Sequence, residues 1–283
     1  MDVSFVHLAI RNIFIESLDM DLKLKGKKAV ITAGASGIGR AIAEGLAREG
    51  VHIFIVDSNK QLAKKSTEEI EKKYGVKALS MMIDLSKSEQ YIELLNKIEN
   101  DFGGVDILIN NVGLGGSREM IQDADDEKWS SNWDINVMAA VRMSRGLIPI
   151  MRQRGGGGII NIASICGKQP LSDNPIYAVT KAALIMFSKC LANEAILDNI
   201  RVNCINPGYT QTTGMNELVK HISEKQVINK DEAIQQIVKE VPIKRFACPE
   251  EIASLVVFLC SPLASYCVGS EYYIDGGWLR TVA

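Results

Sequence analysis

The sequence predicts a doubly wound α/β fold, a parallel sheet with helices on both of its faces, built as a single domain. Three observations predict it. Short runs are apolar at successive positions rather than at alternate ones, which suits strands covered on both sides. Helical patterns alternate with those runs along the chain. The 283 residues are 47% hydrophobic and 23% charged, enough apolar material for one sizeable core.

The elements follow in order. Lys28 to Thr32 is a short apolar strand, and a helical pattern from Ile38 to Glu49 follows it. Val51 to Asp57 reads as a buried strand, Lys60 to Lys73 as a polar helix, and Ala78 to Ile83 as a third strand. Val105 to Asn110 is the fourth, followed by a helix ending near Arg152. Gly155 to Gly158 forms a tight loop into a strand from Gly158 to Ala163, with a helix from Pro175 behind it. Ile200 to Ile205 is the sixth strand, Glu250 to Cys260 the last helix and Glu271 to Ile274 the last strand. Between them, Pro207 to about Glu240 breaks the rhythm. An insertion at the carboxyl end of a strand lies where ligands bind in such sheets, so about 208–240 is assigned as a substrate lid.

A formal net charge of -2 speaks against nucleic acid or an anionic membrane as the main partner. The six cysteines form no CxxC pair and only three histidines are present, so no metal site is expected. Cysteines read as reduced fit a cytoplasmic protein. Phe5 to Ile15 is apolar but carries His7, Arg11 and Asn12, and it is too short to span a bilayer. Residues 1–21 are read as an extension without function, with Met20 a candidate start. An oligomer contact or a membrane-surface anchor are the alternatives.

The first strand runs into Thr32-Ala33-Gly34-Ala35-Ser36-Gly37-Ile38-Gly39 and opens directly into a helix. Such glycines let the backbone turn tightly and approach a pyrophosphate, whose charge the helix N-terminus meets. Asp57 lies 23 residues after Gly34, near the spacing of a carboxylate that binds an adenosine ribose. A carboxylate there repels a 2′-phosphate and so favours NAD; Arg40 keeps NADP open. Asp84 with Leu85, and Asn110-Asn111-Val112-Gly113, place further groups at the carboxyl ends of adjacent strands.

Tyr177 and Lys181 stand four apart on a helix whose start is marked by Asn174 as a cap and Pro175 at the first position, so they share a face. A free tyrosine has a pKa of about 10, and a neighbouring ammonium favours the phenolate. Ser164, at the end of the fifth strand, can donate a hydrogen bond to a substrate oxygen.

From about Leu22 to Trp278 these motifs resemble the short-chain dehydrogenase/reductase family, whose fold is Rossmann-type. The glycine loop, Asn110 to Gly113, Asn136, Ser164, Tyr177, Lys181, Asn206-Pro207-Gly208 and Ile274-Asp275-Gly276-Gly277 fall in the family's order and spacing. The resemblance implies that Tyr177 is the general acid/base and that Ser164 orients the carbonyl or hydroxyl. It further implies that Lys181 holds the nicotinamide ribose and that Asn136 holds a water behind the lysine. Gly34, Ser36, Gly37, Ile38, Gly39, Asp57, Asp84, Leu85, Asn111, Val112, Gly113, Pro207, Gly208, Thr210 and Thr212, with Tyr177 and Lys181, would bind the cofactor. The helices carrying Asn136 and Tyr177 resemble those that pair subunits, which implies a homotetramer or homodimer. Two positions depart from the family: Ala33, which keeps the turn only if its φ is not positive, and Val112, which adds bulk by the adenine pocket.

The reaction expected is hydride transfer between nicotinamide and the carbinol or carbonyl carbon of a small alcohol or ketone. The segment from Pro242 to Gly277 is similar to that of 3-oxoacyl-carrier-protein reductases and of polyol, sugar and hydroxysteroid dehydrogenases. Arg142, Arg145, Arg152 and Arg154 are read as a solvated face rather than a dock for an acidic carrier protein. Cys166 and Met215 fall near the expected pocket. A nucleotide-sensing protein without chemistry, or a structural subunit, are the readings from other classes; the intact Ser164, Tyr177 and Lys181 argue against the first, and a nicotinamide absorbance assay with alcohols and ketones excludes the second.

Overall fold

The computed structural model describes residues 21–115, 119–171 and 174–280. The N-terminal run from Phe5 to Ile15 and Met20 lie outside them. Seven parallel strands form one sheet in the order β3-β2-β1-β4-β5-β6-β7. They are β1 (Lys28–Thr32), β2 (His52–Asp57), β3 (Ala78–Met82), β4 (Ile107–Asn110), β5 (Gly157–Ile162), β6 (Ile200–Pro207) and β7 (Glu271–Ile274). Nine helices of eight or more residues connect them among the described residues: α1 (Gly37–Arg48), α2 (Lys60–Tyr74), α3 (Tyr91–Asn100), α4 (Asp126–Trp133), α5 (Ala139–Gln153), α6 (Pro175–Ala195), α7 (Thr213–Gln226), α8 (Lys230–Ile237) and α9 (Pro249–Cys260).

The strands bury both faces, and successive residues of one strand enter different cores. Ile31, Ile53, Ile55, Ile107 and Ile109 pack with α1, α2 and α9 through Ile42, Leu46, Ile70, Ile252 and Val256. Val30, Phe54, Val56 and Leu108 pack on the other side with α3, α5 and α6 through Leu94, Ile98, Met143, Leu147 and Leu191. This is why the strand sequences lack a two-residue alternation. At about 25 cal/mol per Å² of apolar surface, each such side chain contributes about 1.5–3 kcal/mol against the conformational entropy of ordering it.

Most elements lie where the periodicity places them, with ends moved by a residue or two. Helix α3 is the exception: the sequence reading passes from the third strand to the fourth without it. It is short, enters from a single turn at Ser88–Gln90, and has no side-chain cap. Its Leu94 and Ile98 are nevertheless fully buried. The region after β6 holds α7 and α8, both capped locally, by Thr212 and by a reciprocal Asn229–Glu232 pair.

The direction of winding reverses between β1 and β4, which are hydrogen-bonded neighbours. The loops leaving their carboxyl ends therefore part to opposite faces and leave a crevice, the position at which open α/β sheets bind ligands. Buried Thr32 ties the two strands together there. Its hydroxyl accepts from the Asn111 and Val112 amides at 2.9 and 3.0 Å, and donates to the Ile109 carbonyl at 3.3 Å.

Candidate active site

One half of the crevice is made by the β1–α1 loop. Ser36 sits at the N-cap of α1 with its side chain making no cap bond, so the first amides of the helix face the crevice without a side-chain acceptor. Gly37 has φ +53°, and Gly37 and Ile38 line the cavity. Gly34 and Gly39 do not reach its wall: a Cβ on Gly39 would meet the Ala33 carbonyl oxygen at 2.2 Å, so this glycine serves close packing of the turn. Ala33 corrects the sequence expectation. Its φ is +49°, in the left-handed region that costs a non-glycine residue roughly 1 kcal/mol. The turn is held there from outside: the Asn111 side-chain amide donates to the Thr32 and Ala33 carbonyls, and the Ala33 amide donates to Val56.

Beside the loop, Asp57, Asp84, Leu85, Val112 and Ile135 enclose a cavity of about 380 Å³. The Asp57 carboxylate accepts from the Ala35 amide at 3.1 Å and from its own turn at Asn59 at 2.9 Å, which links β2 to the glycine loop. Hydrogen bonds from the hydroxyl and amide of Ser86 hold the Asp84 carboxyl below the usual carboxylate range. Arg40 points away, its guanidinium bound to Glu44 and Glu69 at 2.8 and 3.0 Å.

The other half brings Ser164, Tyr177, Lys181 and Asn136 together from three elements. Ser164 follows β5 and accepts from the Cys166 amide at 3.1 Å, which leaves its hydroxyl proton to donate. It is also hydrogen-bonded to the Tyr177 phenol. Tyr177 and Lys181 lie on one face of α6, as their spacing predicts, with Nζ 5.6 Å from the ring centroid. The ammonium does not reach the hydroxyl; it donates to the Ile162 carbonyl at 3.0 Å. Burial pushes the phenol well above the ordinary tyrosine value, which the Ser164 bond only partly opposes. The expected lowering of the phenol by its neighbouring ammonium is therefore not what this site produces. Burial drives Lys181 down to about 8.

Asn136 lies in a π-helical turn, Asp134–Met138, a distortion common at functional sites. Its amide clamps the loop after β4: Oδ1 accepts from Leu114 N–H at 2.8 Å, and Nδ2 donates to the Leu114 carbonyl and to Thr180. Gly113 is wedged beside it, where a Cβ would lie 3.0 Å from Lys181 Nζ and 3.1 Å from Asn136 Oδ1. Pro207, Gly208, Thr210 and Thr212 close the crevice from the end of β6 and border Lys181 and Tyr177.

In front of Ser164 and Tyr177 opens a cavity of about 550 Å³. Cys166 and Met215 line it, as the sequence suggests, and so do Tyr209 and Leu218 of the expected lid, but Leu114, Leu171, Asn174 and Trp278 were not foreseen there. Tyr209 and Trp278 stack with centroids 4.4 Å apart. The signal available for them was position, directly after Asn206-Pro207-Gly208 and after Gly276-Gly277. Asn174, expected to cap α6, makes no cap bond; its Nδ2 donates to Gly115 instead. Three of the four arginines weighed as a carrier dock are paired within the chain, Arg142 with Asp134, Arg152 with Asp198 and Arg154 with Asp106.

Comparison with known proteins agrees with this geometry. The family profile described as "Enoyl-(Acyl carrier protein) reductase" matches residues 32–279. The chain is 34% identical over 258 residues to a 3-oxoacyl-[acyl-carrier-protein] reductase of Aquifex aeolicus, covering 91% of this chain and 99% of that one. It is 34% identical to dehydrogenase/reductase SDR family member 4 of Oryctolagus cuniculus over 254 residues, 90% and 94% of the two chains. Among solved structures, L-sorbose reductase of Gluconobacter frateurii, complexed with NADPH and L-sorbose, is 50% identical with a TM-score of 0.91, over 93% of this chain and all of that one. With these relatives, the seven-stranded sheet and the crevice at its switch point, the chain belongs to the short-chain dehydrogenase/reductase family and is a nicotinamide-dependent oxidoreductase of carbinol and carbonyl carbons.

Proposed function

We propose that this protein interconverts a small polyhydroxylated ketone and the corresponding polyol, with Tyr177 as the proton-transfer residue and NAD(H) as the preferred cofactor. The observation that carries the proposal is the meeting of the Ser164 and Tyr177 hydroxyls at one cavity wall, with buried Lys181 behind them. The ketose class is supported by the 50% identity to the L-sorbose reductase. The residues fit a dinucleotide: α1 presents uncapped amides to a diphosphate, and the Asp57 cavity shares Ala33 and Leu114 with the cavity of Ser164 and Tyr177.

A bound nicotinamide supplies or takes up the hydride. In reduction, Ser164 donates a hydrogen bond to the substrate carbonyl and fixes its oxygen beside the phenol. Tyr177, kept protonated by burial, passes its proton to that oxygen as negative charge develops on it, and becomes a phenolate. Lys181, cationic near neutrality with its pKa of about 8, stabilises that phenolate from the same helix face until solvent returns the proton. Oxidation runs the steps in reverse.

NAD(H) is supported by the Asp57 carboxylate at the ribose end and by the pairing of Arg40 with two glutamates, which engages that guanidinium away from the Asp57 cavity. NADP(H) is the second reading, because the L-sorbose reductase is complexed with NADPH. Segment 208–240, with α7 forming one cavity wall, acts as the substrate lid in this proposal. We place the protein in the cytoplasm as a homotetramer or homodimer. Cysteines that form no disulfide among the described residues support the compartment, and exposed Trp133, Val179 and Met186 on α4 and α6 support the pairing. Helix α6 is long and apolar enough to cross a membrane, but half of its apolar window is buried, consistent with a core helix. The test is Tyr177→Phe: turnover of L-sorbose or a related ketose is lost while nucleotide binding persists, and retained turnover refutes the assignment.

A further inference from the structure

A helix that widens at a site residue needs a contact to hold it in that shape, and beside Asn136 Arg142 provides one. The Arg142 side chain is 14% exposed, and its Nη2 donates to Asp134 Oδ1 at 2.6 Å. The two residues are eight apart. In a regular helix of 3.6 residues per turn, the seventh residue on, and not the eighth, returns to the same side. The π-helical turn Asp134–Met138 takes in one residue more, which brings Asp134 and Arg142 into line. The ion pair and the wide turn therefore support each other.

Arg142 also reaches beyond its own helix. Its Nη1 donates to the Ser86 carbonyl at 3.3 Å, 56 residues away in sequence, and the guanidinium is hydrogen-bonded to the buried Tyr91 phenol. That phenol donates in turn to the Leu85 carbonyl at 2.7 Å. A planar guanidinium with five N–H groups can serve three acceptors at once. Leu85 and Ser86 border the Asp57 cavity, and so does Ile135, the residue after Asp134, so one side chain ties two walls of that cavity together from behind. From Asp134 the link runs on. Asn136, two positions along, holds both main-chain groups of Leu114 and donates to Thr180, the neighbour of Lys181. Leu114 borders both the Asp57 cavity and the cavity of Ser164 and Tyr177.

We propose that Arg142 is a positioning residue that couples the adenosine end of the nucleotide site to the Asn136 turn: occupation of the Asp57 cavity fixes the main chain beside Lys181 in the arrangement that receives the nicotinamide end. The inference rests on the reading of the Asp57 cavity as the adenosine site. Arg142 borders neither cavity and acts through Ser86, Tyr91 and Asp134.

Asp134→Ala separates this coupling from local support of the adenosine wall, because it leaves Arg142 on Ser86 and Tyr91 and removes only the pair that leads to Asn136. The full-length protein is titrated calorimetrically with AMP and with NADH, which share the adenosine end and differ in the nicotinamide end. Asp134→Ala keeps AMP affinity within twofold of native and lowers NADH affinity at least fivefold. On a ketose that the native protein reduces, kcat with NADH saturating falls at least tenfold. Arg142→Met weakens AMP as well, and NADH by a larger factor. Far-UV circular dichroism identifies folded protein, and Asp134→Ala decides alone if the methionine variant does not fold. Equal losses for the two ligands, NADH affinity or kcat unchanged in the folded variants, or native protein that binds NADH but not AMP overturns the proposal, whatever happens to Tm. Native protein that binds neither ligand overturns the nucleotide reading on which it rests.

Discussion

Replacing Lys181 by methionine separates the charge of the site from its packing. The side chain is 3% exposed, and burial lowers its pKa from 10.5 to about 8. At about 1.4 kcal/mol for each tenfold change in proton affinity, that depression is on the order of 3 kcal/mol of strain on the cation. The unfolded chain holds the proton more tightly than the folded one. The ammonium therefore opposes folding in full below pH 8, and the penalty is relieved as pH rises from 8 to 10.5. Linkage between pH 7 and 9.5 gives the native protein a gain of about 2 kcal/mol relative to Lys181→Met, in which the other groups titrate alike. Loss of the bond to the Ile162 carbonyl adds a pH-independent offset of about 1 kcal/mol. Urea unfolding of both nucleotide-free proteins at pH 7, 8, 9 and 9.5 measures the difference. Parallel stability curves across that range refute the claim that Lys181 is a strained buried cation.

Three further substitutions test the nucleotide half. Ala33→Gly relieves the +49° φ and raises stability by about 1 kcal/mol, seen as a rise of about 2 °C in Tm; a fall shows that the turn carries no backbone strain. Gly39→Ala places a methyl 2.2 Å from the Ala33 carbonyl oxygen and 2.6 Å from the Asn111 side-chain nitrogen, so it displaces the loop. Nucleotide affinity then drops more than tenfold by calorimetric titration, and affinity within twofold of native contradicts the packing role. Asp57→Ala removes a carboxylate from the ribose cavity and also frees the Ala35 amide. It weakens both cofactors but raises the NADP(H) over NAD(H) ratio of kcat/KM at least tenfold; an unmoved ratio argues against Asp57 as the discriminating residue.

Much of the fold could be read in advance because its signals are local. A strand such as His52–Asp57 has to be apolar on both faces to lie between two helical layers, and its sequence says so. Tyr177 and Lys181 share a face because helical geometry alone puts residues four apart together. Helix α3 escaped because its buried residues, Tyr91, Leu94 and Ile98, are few and its start is uncapped, so packing against the sheet rather than local pattern stabilises it.

What the chain could not declare locally, its tertiary contacts decided. A positive φ at Ala33 runs against intrinsic preference, and it is held by an asparagine arriving from the end of β4. The Lys181 ammonium turns to the Ile162 carbonyl, and burial is the largest influence on the phenol, raising it above the ordinary tyrosine value. Asn174 carries the sequence signature of a cap, yet its side chain bonds to Gly115 instead and its oxygen is buried without a partner. The sequence by itself determined the sheet, the glycine turn and the residue types of the site. Which of their polar groups are satisfied, and which are left for a ligand, depends on partners far apart along the chain, and only folding brings those together.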